Sequence, residues 1–429
     1  MNFKKIVTIL LSSLLLVGCS ESMEDKNHGL DKENPVNITL GTQEDTALQT
    51  IIDDFNSTIG TEKGIIVEYK PISSNDELSN MDMVSADYNT IYSLSSNCEF
   101  AELSSYFSAM DLGSTFFESS IEEVSLSGLS AIPTKLDINL LVVNKSKWEE
   151  FSSSTGLDTS YLTTWDSITS LANTYYNTTN KSFLSISSGY DIANEISNQM
   201  YMPLVQTSRS GASINLQSDT MQNVWNYVSV PEIKGYFITG SYETIENGDT
   251  IASYCPLSEI PNSSDLLVFK APSIVSTVSS YKLDTTAIAI NSSNDNTIYA
   301  CMQFINYLIS DNVNYEYASY SSSIPSNKNA NSNGENIDEY SINDTARSIA
   351  YELISAEEVF KVSPFDNVSM LVDTLETRIN QMSSRDIVNK RIQGGVLESK
   401  AYEGILDSSS FKTWYDDICE HLKITFTPQ

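Results

Sequence analysis

From Asn37 onward, short apolar runs alternate with stretches whose apolar residues return every third or fourth position. The first run, Asn37–Leu40, predicts a strand. Thr42 with Asp45 three residues later makes a capping box for the helix behind it. That helix carries Leu48, Ile51, Ile52 and Phe55 on one face and is expected to stop near Gly60. Ile65–Tyr69 is the second strand, and a strand–helix–strand unit of this length predicts a parallel sheet with a right-handed crossover. Ligands in such sheets sit beyond the carboxyl ends of the strands, which makes Thr42, Gln43 and Glu44 binding candidates. Glu44 has a plainer alternative, complementing the helix dipole. Asp87–Leu94 alternates around Ile91 and reads as a strand. Ser93, Ser95 and Ser96 at its end are hydrogen-bond donors for a ligand or ordinary loop serines.

The clearest order of pieces lies in Ala131–Ile168. Ala131-Ile132-Pro133 leads into Leu136–Val143, a run rich in Leu, Ile and Val that suits a buried strand. Asn144-Lys145 ends the run, a short helix covers Lys147–Phe151, and Gly156 breaks it. Thr163 or Thr164 then caps a helix with Ile168, Leu171 and Tyr175 on one face. Phe183–Ser187 predicts a strand, and Gly189-Tyr190-Asp191 opens a helix through Ile196 and Met200. Asp219–Val228 is helical, and the stretch from Gly248 ends on Tyr254-Cys255-Pro256. Thr285–Asn291 is a further strand, Tyr299–Ile309 an amphipathic helix, and Ser326–Tyr340 a loop or insertion. Three helical stripes, around Leu353, Leu375 and Trp414, close the chain. Asp137 is the exception inside its apolar strand, because an unpaired buried carboxylate is costly. Either it pairs with Lys135 on the same strand face, or it accepts hydrogen bonds from a ligand's hydroxyls or ammonium group.

The amino-terminal end follows another pattern. Lys4-Lys5 precede an apolar core, Ile6–Val17, that is too short to span a bilayer comfortably, and Leu16-Val17-Gly18-Cys19 ends it like a bacterial lipobox. Residues 1–18 are therefore expected to be a lipoprotein signal peptide and Cys19 the acylated first residue. The alternative is an uncleaved anchor helix. Two or three acyl chains, at about 0.8 kcal/mol per buried CH₂, would hold the protein on the extracellular face of the cell membrane. Ser20–Val36 is polar and reads as a tether.

Charge narrows the function classes. With 56 Asp and Glu against 24 Lys and Arg, the net charge is −32, a field that repels nucleic acid and anionic lipid. Solubility outside a cell accounts for such acidity, and a cationic ligand would also use it. Besides Cys19 the chain has Cys98, Cys255, Cys301 and Cys419, with no CxxC or Cys/His spacing for a structural metal. Buried thiols are expected, with one disulfide left open by geometry. Neither His28 nor His421 has a nucleophile's surroundings, and no phosphate-binding, dinucleotide or zinc-protease motif occurs. No cofactor or metal is expected. Acidic pairs are so frequent that a glycosidase carboxylate pair stays open on sequence alone.

The order small residue–Ile–Pro, apolar strand, Asn-Lys, short helix, Thr-Trp-Asp, helix resembles the extracellular solute-binding proteins of ABC importers. The sugar-binding group that includes the maltose-binding protein is the nearest. That resemblance implies an α/β, two-lobe, type II periplasmic-binding-protein-like fold with a ligand cleft, no catalysis, and permease subunits as partners. It implies lobes of 37–135 with 272–325 and of 136–271 with 326–429, Leu266–Pro272 carrying the return. By the same likeness Tyr190, Tyr320 in Tyr320–Pro325 and Phe365 in Pro364-Phe365-Asp366 stand where the family meets its ligand, with core packing the alternative for Tyr190. Ser93 ends a strand that the family directs into the cleft. The Gly248–Pro256 stretch is similar to the family's Gly-[acid]…Gly-Pro-[Trp] strand. Cys255 and Leu257 depart from it, so either Tyr254 takes over ring stacking or the ligand is a different one. The expected ligand is a small solute, a carbohydrate. A polyamine-like cation, or a surface enzyme acting on polysaccharide, are the alternatives.

Overall fold

The computed structural model describes residues 30–423 except 44, 73, 108, 125–127, 209–210, 279, 331–342, 363 and 366–367. The leader, Cys19, most of the tether, Glu44 and most of the Ser326–Tyr340 stretch lie outside the described residues. The described residues fall into two units, those within 1–136 and 285–339 and those within 137–284 and 340–429.

The first unit opens as its hydrophobic pattern requires. Strand β1 (Val36–Thr42) is followed by α1 (Thr46–Phe55) and β2 (Ile65–Pro71), with β1 and β2 parallel. Leu48, Ile51, Ile52 and Phe55 are all buried. The helical path continues through Asn56–Gly60 and Thr61–Lys63, and Gly64 at φ +72° ends it. The cap is Asp45 alone, whose carboxylate accepts from the Leu48 amide, while Thr42 stays in the strand. β3 (Met83–Asp87) pairs parallel to β1.

Asp87–Leu94 is not the predicted strand. Asp87 ends β3 and its carboxylate accepts from the Thr90 amide, so it starts α2 (Tyr88–Leu94). A side-chain cap outweighs the alternation around Ile91. Ser93 thus lies on an exposed helical position, its hydroxyl donating to the Thr90 carbonyl.

β4 (Ala131–Asn144) leaves the first unit after Leu136. In the second unit it is followed by α3 (Lys145–Thr155), capped by Asn144 and ended by Gly156, and by α4 (Trp165–Thr179), capped by Thr164. Next come β5 (Leu184–Ile186), α5 (Gly189–Gln199), α6 (Ser218–Val224), β6 (Phe237–Thr239), β7 (Ala252–Pro256) and β8 (Leu266–Lys270). β4 pairs antiparallel with β7 and with β8, and β5 lies parallel to both β7 and β6.

β8 therefore is not the return to the first unit. The chain returns inside β9 (Tyr281–Ile290), between Asp284 and Thr285. Residues 272–284 stay with the second unit because Ser273 exchanges backbone bonds with Thr163 and Trp165, and Tyr281 and Lys282 pair with Val359 and Phe360. Back in the first unit, β9 runs antiparallel to β3 and leads to α7 (Asp295–Leu308), α8 (Asp311–Tyr320) and β10 (Ile324–Pro325), which pairs with β4. Ser326 also belongs here rather than in the second lobe, its hydroxyl donating to the Pro133 carbonyl.

The second unit ends with α9 (Asp344–Ser355), β11 (Val359–Phe360), α10 (Val368–Ile379), α11 (Met382–Gln393) and α12 (Ser410–His421). Cys98, Cys255, Cys301 and Cys419 are free thiols, the last three buried. No helix among the described residues is long and apolar enough to cross a membrane.

Candidate functional site

Each unit places a carboxylate just past the carboxyl end of a parallel strand, at the start of the following helix. In the first unit this is Asp45, after β1. Its carboxylate accepts from the Leu48 amide at 2.9 Å and the Tyr317 hydroxyl at 2.9 Å, and pairs with the Lys135 ammonium of β4 at 2.8 Å. The Asp45 amide donates to the Tyr69 hydroxyl, and Lys135 also stands over the Tyr317 ring, 4.9 Å from its centroid. Burial opposes ionisation of Asp45. The Lys135 charge and these hydrogen bonds outweigh it, so its carboxyl is held below the usual aspartate value.

In the second unit the equivalent position is Asp191, in the first turn of α5 after β5. Its carboxylate pairs with the Lys282 ammonium of β9 at 2.8 Å and accepts from the Asn139 amide group of β4 at 3.0 Å. Lys282 also pairs with Asp284, and its ammonium lies 5.8 Å from the Tyr190 ring centroid. Burial would lower the Lys282 ammonium, but Asp191 and Asp284 hold it well above its ordinary value. The start of α5 is fixed from behind by Glu376 of α10, whose carboxylate accepts from the Ser188 hydroxyl and the Gly189 and Tyr190 amides.

The surroundings of this pair are not saturated. The Tyr190 hydroxyl, the Asn139 carbonyl oxygen, Glu195 Oε2 and the Tyr254 hydroxyl are buried without a hydrogen bond of normal length and angle. Glu195 and Tyr254 face each other closely enough to interact as a hydrogen-bonding pair, though not at normal length and angle. Leaving one such group unsatisfied costs about 1–3 kcal/mol. Burial pushes Glu195 up to about 8 and Tyr190 up to about 12. The cluster reaches the surface at Asp284, an exposed residue of β9.

Asp137 lies nearby in β4 but does not pair with Lys135, whose ammonium goes to Asp45. It is partly exposed as a residue, while its carboxyl is closely surrounded and bonded to Ser258 and the Ile138 amide; burial pushes it up to about 6. Tyr254 is 0 % exposed, its ring edge-on to Trp165 at 6.1 Å. A ring closed on all sides has no face for a sugar, so only its hydroxyl points to chemistry. Phe365 is also buried, whereas Tyr320 is 47 % exposed at the end of α8. The structure thus places Asp137, Tyr190 and Tyr254 in the second unit and Ser93 and Tyr320 in the first. Asp191, Glu195 and Lys282 were passed over in the sequence. Their signals were a polar stripe four residues apart in a helix otherwise buried, and a charge inside the strand Tyr281–Ile290.

Among the described residues no group of His, Cys, Asp and Glu is arranged to hold a metal ion. Residues 70–345 match the family model of bacterial extracellular solute-binding proteins. The chain belongs to that family. Comparison with curated proteins gave no match. Solved structures add the fold. Maltose-bound MalE3 of T. maritima is 14 % identical, with 89 % of this chain and 98 % of that one covered at a TM-score of 0.64. The ABC substrate-binding protein Lmo0181 of Listeria monocytogenes, in complex with cycloalternan, is 11 % identical over 91 % and 100 %, at 0.65. The ABC transporter associated binding protein of B. animalis subsp. lactis Bl-04, in complex with β-1,6-galactobiose, is 15 % identical over 91 % and 98 %, at 0.62. The solute-binding protein described here shares their two-lobe, type II α/β fold. The family and these structures are binding proteins, not enzymes.

Proposed function

We propose that this solute-binding protein captures a carbohydrate and delivers it to the permease subunits of an ABC importer, held outside the cell by acyl chains on Cys19. The solute's polar groups are taken up by the second unit's cluster, with Asp191, Lys282, Asp137 and the Tyr190 hydroxyl as its partners. The observation that carries this reading is the buried, unused hydrogen-bonding capacity around the Asp191–Lys282 pair. Sugar hydroxyls both donate and accept, which suits a site mixing carboxylates, an ammonium group and tyrosine hydroxyls. What the similar structures bind supports the carbohydrate class.

The excess of carboxylate over ammonium, Asp191 and Asp284 on Lys282, favours a second reading in which the solute is a cation such as a polyamine. A thermal-shift screen of maltose, β-1,6-galactobiose, cycloalternan and spermidine separates the two. A true ligand at 100 times its Kd adds about 2.7 kcal/mol of stability. Stabilisation by spermidine alone would replace the carbohydrate reading. Anchoring is tested apart: Cys19→Ser should release or stall the precursor, and a mature chain with unmodified Cys19 by mass spectrometry would contradict it.

A further inference from the structure

Helix α5 carries Asp191, Glu195 and Gln199 at four-residue spacing, so all three fall on one face. Each bonds to β9 or to the segment that leads into it. Gln199 Oε1 accepts from the Ile274 amide at 2.8 Å, and its amide group donates to the Ser280 carbonyl at 3.4 Å. Glu195 Oε1 accepts from the Lys282 amide at 3.4 Å, and Asp191 takes the Lys282 ammonium. Lys282 is therefore held twice by one helix, by its main chain through Glu195 and by its side chain one turn earlier.

We propose that Glu195 is a positioning residue, whose grip on the Lys282 main chain sets where the ammonium group meets Asp191 and the Tyr190 ring. The role rests on the reading that this cluster is the solute site. The charged and titratable groups facing Glu195 are Tyr254 of β7, Lys282 of β9 and Asp191 of its own helix. Of the helices packed on α5, α10 turns Glu376 to the start of α5, and α6 buries Thr220, Met221 and Val224. That carboxyl is 0 % exposed, and its Oε1 is taken up by the Lys282 amide. A stem as flexible as lysine's keeps one geometry only when both of its ends are fixed.

The test needs no solute. The whole protein is acetylated with acetic anhydride, and each lysine's rate is read by mass spectrometry in wild type, Glu195→Gln and Glu195→Leu. Lys135, ion-paired in the first unit, is the internal control. Gln keeps an oxygen for the Lys282 amide and should leave Lys282 protected. Leu fills the space but cannot accept, and should speed Lys282 acetylation about tenfold, the scale of one lost buried hydrogen bond, with Lys135 unchanged. Unchanged Lys282 in Glu195→Leu, an equal rise at Lys135, or an open Lys282 in Glu195→Gln would each overturn the role. Should Glu195→Leu fail to fold, Glu195→Ala, which also removes the acceptor, is read in its place with the same expected and overturning results. A failed solute screen would remove the site's function and leave this measurement standing.

Discussion

The two units contain nearly the same device with opposite surroundings. In each, a carboxylate at the start of a helix meets a lysine on a strand that crosses the unit boundary, and a tyrosine ring lies under the ammonium. Around Asp45 every partner is matched: a helix amide, a tyrosine hydroxyl and Lys135. Around Asp191 one lysine serves two aspartates, and four neighbouring polar atoms have no good partner. A saturated pair holds a fold together. An unsaturated one keeps bonding capacity that a solute can complete, at a standing cost in stability. The ion pair itself does not separate the two roles, but its neighbours do.

The largest effect expected from this contrast is on stability in the first unit. Asp45→Ala removes the cap of α1 and strands the partly buried Lys135 ammonium, which should cost about 3–5 kcal/mol by urea denaturation. A loss under about 1 kcal/mol, the range of a surface pair, would make the first pair as dispensable as an exposed one.

Comparable in size is the pH response, where the two clusters carry opposite signs. Asp45 is held below its unfolded value, so its contribution is present above the ordinary aspartate range and is lost as pH falls through its lowered folded value. Glu195 is raised to about 8, so its contribution is complete below the unfolded glutamate value and fades as pH rises through about 8. Between those limits stability should fall by up to about 1.4 kcal/mol per pH unit. Glu195→Gln should flatten that alkaline limb and leave the acid limb alone. A wild-type profile flat from pH 5 to 9 would contradict the placement of Glu195.

The smallest effect concerns Tyr254. Its hydroxyl has no well-formed bond, so Tyr254→Phe should change stability by less than about 1 kcal/mol while the ring keeps its place against Trp165. A larger loss would show that the hydroxyl is already satisfied in the free protein, and the unit less open to a solute than described.

Much of the fold was legible because local signals and burial agree. Thr164 and Gly156 begin and end helices as their chemistry demands, and the apolar stripes of α1, α4 and α7 are buried. Asp87–Leu94 alternates like a strand yet is helical, because the Asp87 carboxylate caps the Thr90 amide and a short alternation does not outweigh a cap. The return to the first unit was placed too early because Leu266–Lys270 has a strand's composition, and composition does not say which strand it pairs with. The site was less legible. Asp137 stood out as a carboxylate in an apolar strand and Tyr254 only through the family likeness, and both lie in the second unit. The direction of the Tyr254 ring, and the pairing of Lys135 with Asp45 rather than Asp137, depend on contacts between distant segments.

The central claim is that the second unit's cluster binds the solute and the first unit's pair does not. Calorimetric titration of Asp191→Asn and Asp45→Asn, each confirmed folded, with the solute identified by the screen tests it most directly. Removing a charged hydrogen-bond partner costs about 1.5–3 kcal/mol, so Asp191→Asn should bind at least about tenfold more weakly, with Asp45→Asn at wild-type affinity. Wild-type affinity in Asp191→Asn, or an equal loss in both variants, would contradict the account.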